Sequence, residues 1–269
     1  MAPLARALAV GGVISLVVLS VLDLRVALTN VLPSADLNLL WRYATTTGHG
    51  HAVQIRLLLA AALGVLVSLP VARRHGAGPA FFVGILGLLS TFSVISHGAV
   101  MGGWQPLLSD LVHFGAAALW TGAVFVLLAA PVWEESRRPE VLHALERLSS
   151  LGLVAVLTLA LTGVVNTFLH TGEPDVFLAS RYALALVIKL AIVAAVIVLA
   201  AFNRFRFLPR LRAGAPLAAK RTALGVETLL LVAVLVASGW LSTTAVPHGS
   251  DVSVDVVENA RRLIEYLRR

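Results

Sequence analysis

The chain has 269 residues, of which 58% are hydrophobic and 13% charged, with a formal net charge of +7 and no cysteine. Soluble domains run near a quarter charged, so most of this surface has to face lipid rather than water. The lack of cysteine excludes disulfides and thiolate metal ligands. A lipid-exposed backbone must satisfy its own hydrogen bonds, which leaves helices or closed barrels. The apolar runs are long and unbroken rather than short and alternating, and that predicts an all-α integral membrane protein.

A span needs about 20 apolar residues. Seven runs meet this, near 4–24, 52–72, 78–97, 107–130, 149–169, 182–202 and 223–246. The first has a basic start but no small-residue cleavage site leading to a soluble domain, so it reads as a span and not as a signal peptide. Arg73 and Arg74 follow the second run. Arg137, Arg138 and Arg147 separate the fourth from the fifth, and Arg204, Arg206, Arg210, Arg212, Lys220 and Arg221 the sixth from the seventh. The intervening connections are poor in Lys and Arg. This alternation puts the basic loops and the N-terminus in the cytoplasm and the C-terminus outside. The positive charge is therefore a topology signal and not a nucleic-acid footprint. Residues 1–247 form the polytopic domain. Residues 248–269 are a polar tail with apolar residues at helical spacing, expected at the membrane interface.

Two segments look alike. Thr47-Gly48-His49-Gly50 leads to Arg56, and Ser180-Arg181-Tyr182-Ala183 leads to Lys189. Each has a hydroxyl residue, a ring two positions on, and a basic residue seven positions after that ring. The pattern predicts a duplicated unit with parallel topology. The second copy has two runs before this segment and the first copy only one, so the repeat predicts a first copy lacking its first helix. Arg56 and Lys189 are expected to snorkel to the outer interface.

Six of the eight histidines fall on the outer side: His49, His51, His97, His113, His170 and His248. His97, His113 and His170 belong to three different runs near the outer boundary, and Met101 lies just beyond His97. Asp110 and His113 are three apart and share a helix face with Trp120. Thr158, Thr162, Asn166 and His170 make one polar stripe, and Ser90, Ser93 and His97 another. Polar groups inside a span are costly unless they face the bundle interior, a cavity or each other. These stripes fit either an ion path or interhelical glue. Asp110 fits a carboxylate behind a histidine ligand or a plain helix cap. His49 and His51 fit a ligand role or that of solvated loop histidines. Imidazole suits copper, zinc, iron and nickel; the added Met favours copper. The candidate metal residues are His113, His170, His97, Asp110, Met101, His49 and His51. Glu227 is expected to pair with a loop arginine. No phosphate-binding loop, H-E-x-x-H or activated nucleophile is present, so no enzyme is expected.

The stretch Asp110 to Gly122 resembles the D-x-x-H…W-x-G helix of the bacterial copper resistance D (CopD-like) family of inner-membrane proteins. Leu161 to Asn166 with His170 resembles that family's next helix. Ser180 to Ala183 with Lys189 is similar to its T-x-Y-G…K segment, and Asn203 to Arg206 to its N-R-x-R loop. Glu227 and Thr243 to Pro247 resemble its last helix and end. The resemblance spans about 40–247, with Ala183 for the usual Gly and His49 for the usual aromatic. It implies copper ion movement across the inner membrane, inward from the periplasm, with a periplasmic CopC-like partner. With so few methionines, His and Asp ligands would fit Cu(II) at the entrance at least as well as Cu(I). Two rival readings remain: a membrane b-type cytochrome, since His97, His113 and His170 at similar depth also suit haem, and a non-transporting protein that delivers copper for assembly.

Overall fold

In the computed structural model the described residues are 2–32, 36–69, 78–96, 104–170, 180–244 and 265. They are helical and include no strand. The helices are α1 (Ala2–Val31), α2 (Leu37–Thr46), α3 (Gly48–Ser68), α4 (Gly78–Ser93), α5 (Trp104–Ala129), α6 (Arg138–His170), α7 (Arg181–Phe202) and α8 (Leu217–Thr243). A π-turn at Asn203–Phe207 and a short helical turn at Leu208–Arg212 extend α7. Six helices among the described residues are long and apolar enough to cross a membrane, and α4 is a shorter apolar one. The chain is thus an all-α, multi-pass membrane protein. The expected end of the third span, with His97, and the tail from His248 lie outside the described residues, apart from Glu265.

The described residues form two compact units, one within residues 1–111 and the other within residues 112–168 and 180–244. In the first unit α3 packs against α1, α2 and α4. Lipid tails are as apolar as leucine, so helices here associate through close packing, which small residues permit. A Cβ on Gly84 of α4 would lie 2.7 Å from Leu63 of α3, and one on Gly87 3.3 Å from Leu59. In the second unit α7 and α8 pack together, and Val124, Val141, Val196, Leu211, Leu217 and Leu224 form a fully buried core. Arg138 ties one end of this unit together, donating to the carbonyls of Leu211 and Ala215 at 2.9 Å each.

The sequence pattern did not foresee α2. This ten-residue helix is capped by Asp36, whose side chain accepts from the Leu39 amide at 2.8 Å. It is amphipathic, with Leu37 and Trp41 exposed and Tyr43 buried, as suits a helix lying in the membrane interface. Gly50 makes the sharp step into α3 possible: a Cβ there would run into the Ala44 carbonyl.

The two segments read as repeats open their helices alike. Thr47 caps α3 and Ser180 caps α7, each in extended backbone with its hydroxyl accepting from the amide three residues on, Gly50 or Ala183, at 3.1 Å. Each unit holds one copy.

Candidate functional site

The second unit contains His113. It sits on α5 opposite the α6 stripe, where its Nδ1 lies 2.8 Å from Thr162 Oγ1. The stripe works here as the four-residue spacing requires. Thr162 is buried, and its hydroxyl proton goes to the Thr158 carbonyl at 2.7 Å. With that one proton spent, Thr162 Oγ1 can only accept from the ring. His113 therefore carries its proton on Nδ1, and Nε2 carries the lone pair. The ring edge lies beside Gly163 of α6, where a Cβ would make an ordinary contact 3.8 Å from Cε1. Lys189 of α7 is near enough to act on the charge of His113.

One turn before His113 on α5, Asp110 is buried and accepts a short hydrogen bond from the Ser96 hydroxyl. It has partners of its own and does not merely cap the helix, which begins at Trp104. His170 is the last residue of α6, and its side chain is outside what the structure describes, as are His97 and Met101 entirely. Among the described residues no three His, Asp or Glu groups converge as a metal site would need.

His49 and His51 open α3 in the first unit. His51 Nε2 donates to the Thr45 carbonyl at 3.0 Å. His49 has both nitrogens engaged. The Tyr43 hydroxyl donates to Nδ1 at 3.2 Å, and Nε2 donates to Asp23 Oδ2 at 3.1 Å. Burial and the Asp23 carboxylate push the Tyr43 phenol above its usual range, so it stays a donor.

Asp23 leads to a group that sequence reasoning missed. Arg56 does not snorkel to the interface. It is 2% exposed, with Nη1 3.5 Å from Asp23, Nε and Nη2 donating to Thr91 Oγ1 and O at 3.1 and 3.3 Å, and its guanidinium 3.7 Å from the Phe92 ring centre. Each of its three nitrogens thus has a partner on α1 or α4, as a charge at membrane depth demands. The available signal was Asp23 itself, an acid inside an apolar run facing a basic residue inside another.

Glu227 likewise pairs elsewhere than expected. It is buried in the second unit, where it accepts from Asn203 Nδ2 at 2.8 Å, with the Trp120 indole near enough to act on it and Lys220 as its opposite charge. Arg204, the loop arginine beside Asn203, donates instead to Ser149 at 2.8 Å.

Residues 142–241 match the family model described as copper resistance protein D. A stretch of 102 residues, 38% of this chain, is 32% identical to the inner membrane protein YebZ of Escherichia coli (strain K12) and covers 35% of it. The chain thus spans about a third of that relative's length. No solved structure matches significantly. The matched residues include Thr162, Asn166, His170, Ser180, Lys189, Asn203 and Glu227, while the Asp110 to Gly122 helix precedes them. From α6 to the end of α8, residues 142–241, this membrane protein carries the copper resistance protein D pattern.

Proposed function

We propose that this protein moves copper across the bacterial inner membrane, inward from the periplasm, and so serves copper homeostasis or resistance. The observation that carries the reading is the state of His113. A threonine holds Nδ1–H, so the neutral ring presents Nε2 as a metal-ligating nitrogen inside an apolar bundle. The copper resistance pattern of residues 142–241 supports copper as the ion. In this reading His113 is a copper ligand, and His170, Asp110, His97, Met101 and His51 are the further candidate ligands. His49 would take part only by releasing Tyr43 or Asp23. A periplasmic CopC-like protein delivers the ion, and the Thr158–Thr162–Asn166 stripe leads it inward.

The test is copper accumulation in cells carrying His113→Ala or His170→Ala. Each change should lower uptake about tenfold or more, the scale on which lost ligation shows. Wild-type uptake in both variants would overturn the assignment. Flux into liposomes holding the purified protein separates transport from delivery to another protein.

A further inference from the structure

Glu227 sits in the second unit among groups from α5, the end of α7 and its own helix α8. Asn203 at the end of α7 donates to it, the Trp120 indole of α5 is near enough to act on it, and Lys220 lies two turns earlier on its own helix α8. From α6, Gly152 packs beneath the Trp120 indole, where a Cβ would be 3.3 Å from Nε1. Trp120, Asn203, Lys220 and Glu227 are between 4% and 6% exposed. Among the described residues Lys220 is the charged group that acts on Glu227. An acid in such a core is costly, and a purely structural acid would be expected to have fully served partners.

Asn203 is not fully served. Its Nδ2 donates to Glu227, but its Oδ1 is buried with no hydrogen-bond partner. We propose that Glu227 is a proton-exchange site, and that Asn203 is the partner serving both its charged and its neutral form. An amide carries a donor at one end and an acceptor at the other. Facing a carboxylate, Asn203 offers Nδ2. When the carboxylate binds a proton, a new O–H bond forms on Oε2. A half-turn of the amide then replaces the Nδ2 hydrogen bond with one from that O–H to Oδ1. The oxygen without a partner is the half of the amide that the second state uses. Lys220 keeps its proton, so the Glu227–Lys220 pair passes from neutral to +1. Asn203 opens the π-turn, where its carbonyl accepts from the Leu208 amide five residues on, an irregularity common at working sites.

The proposal does not depend on copper, because protonation can be read without metal. The full chain is placed in lipid vesicles, and the infrared band of protonated carboxyl groups is followed against pH. Wild type should show a band that disappears as pH rises and that is missing in Glu227→Gln. Asn203→Leu removes a charge-assisted hydrogen bond from the charged form and an ordinary one from the neutral form, so it should move the midpoint upward by their difference, about one pH unit. Lys220→Met leaves the carboxyl in place and should also move the midpoint upward, so it carries the test should Glu227→Gln fail to fold. A titration unchanged in Glu227→Gln, or a midpoint unmoved by both Asn203→Leu and Lys220→Met, would overturn the proposal.

Discussion

Thr162→Val is the sharpest probe of the histidine site. Valine keeps the branched shape of threonine and removes only the hydroxyl, so the bundle loses little packing. What it loses is the 2.8 Å acceptor on His113 Nδ1. The ring is then free to move its proton to Nε2, which hides the lone pair, or to rotate out of place. Partners that orient a ligating histidine are worth about 10–100-fold in metal affinity, or about 1.4–2.8 kcal/mol. A donor left without a partner at this depth costs about 1–3 kcal/mol, a similar amount. Thr162→Val should therefore weaken copper binding by about 10–100-fold, while Thr162→Ser, which keeps the oxygen, should bind nearly as wild type. The assay is copper titration of the purified protein by calorimetry, with helicity as the folding control. If Thr162→Val binds as wild type while His113→Ala loses binding, the tautomer argument is wrong, although His113 remains a ligand.

Two further predictions concern the first unit. Asp23→Leu strips Arg56 of its counter-charge and should cost about 1–3 kcal/mol, less than breaking a fully buried pair, because Asp23 is 41% exposed and Thr91 and Phe92 still hold the guanidinium. The double change Asp23→Leu with Arg56→Leu should recover most of that loss in a detergent melting experiment; a double variant no more stable than the single one would refute the pairing. Gly50→Ala pushes a methyl into the Ala44 carbonyl and should cost about 1–3 kcal/mol. Hydrogen exchange should rise across α2 and the start of α3, and unchanged protection there would refute the close approach.

The apolar runs made the spans legible, because a 20-residue stretch with at most one or two charges leaves few alternatives in a chain this hydrophobic. Helix α2 was not legible. It is half the length of a span, and its apolar residues are diluted by Asn38, Arg42 and three threonines in the neighbouring stretch. Ends were also displaced: α6 starts at Arg138, about three turns before the apolar run, because Arg137–Glu140 and Arg138–Glu135 ion pairs carry the helix into the basic loop. At the site, the α6 stripe could be read from spacing, and the structure puts Thr162 of that stripe on His113. Arg56 could not be read, since snorkelling is the ordinary fate of a basic residue near a helix end and its partner stands 33 positions away. Asn203 was hidden for a different reason. The basic residues that follow it mark a loop in composition, yet a π-turn continues the helix and turns the amide inward.

The Asp23–Arg56 contact also bears on how the chain is made. Either residue alone costs its helix up to about 2.5–3.5 kcal/mol on the way into the bilayer, the figure for a charge at a helix centre. During synthesis α1 emerges first and carries its acid without relief until α3 arrives with the guanidinium. The two helices therefore gain by entering lipid together as a neutralised hairpin, with α2 left lying across the surface between them. An acid and a base placed a helix apart thus set an order of assembly, in which the first helix waits for the third before either settles.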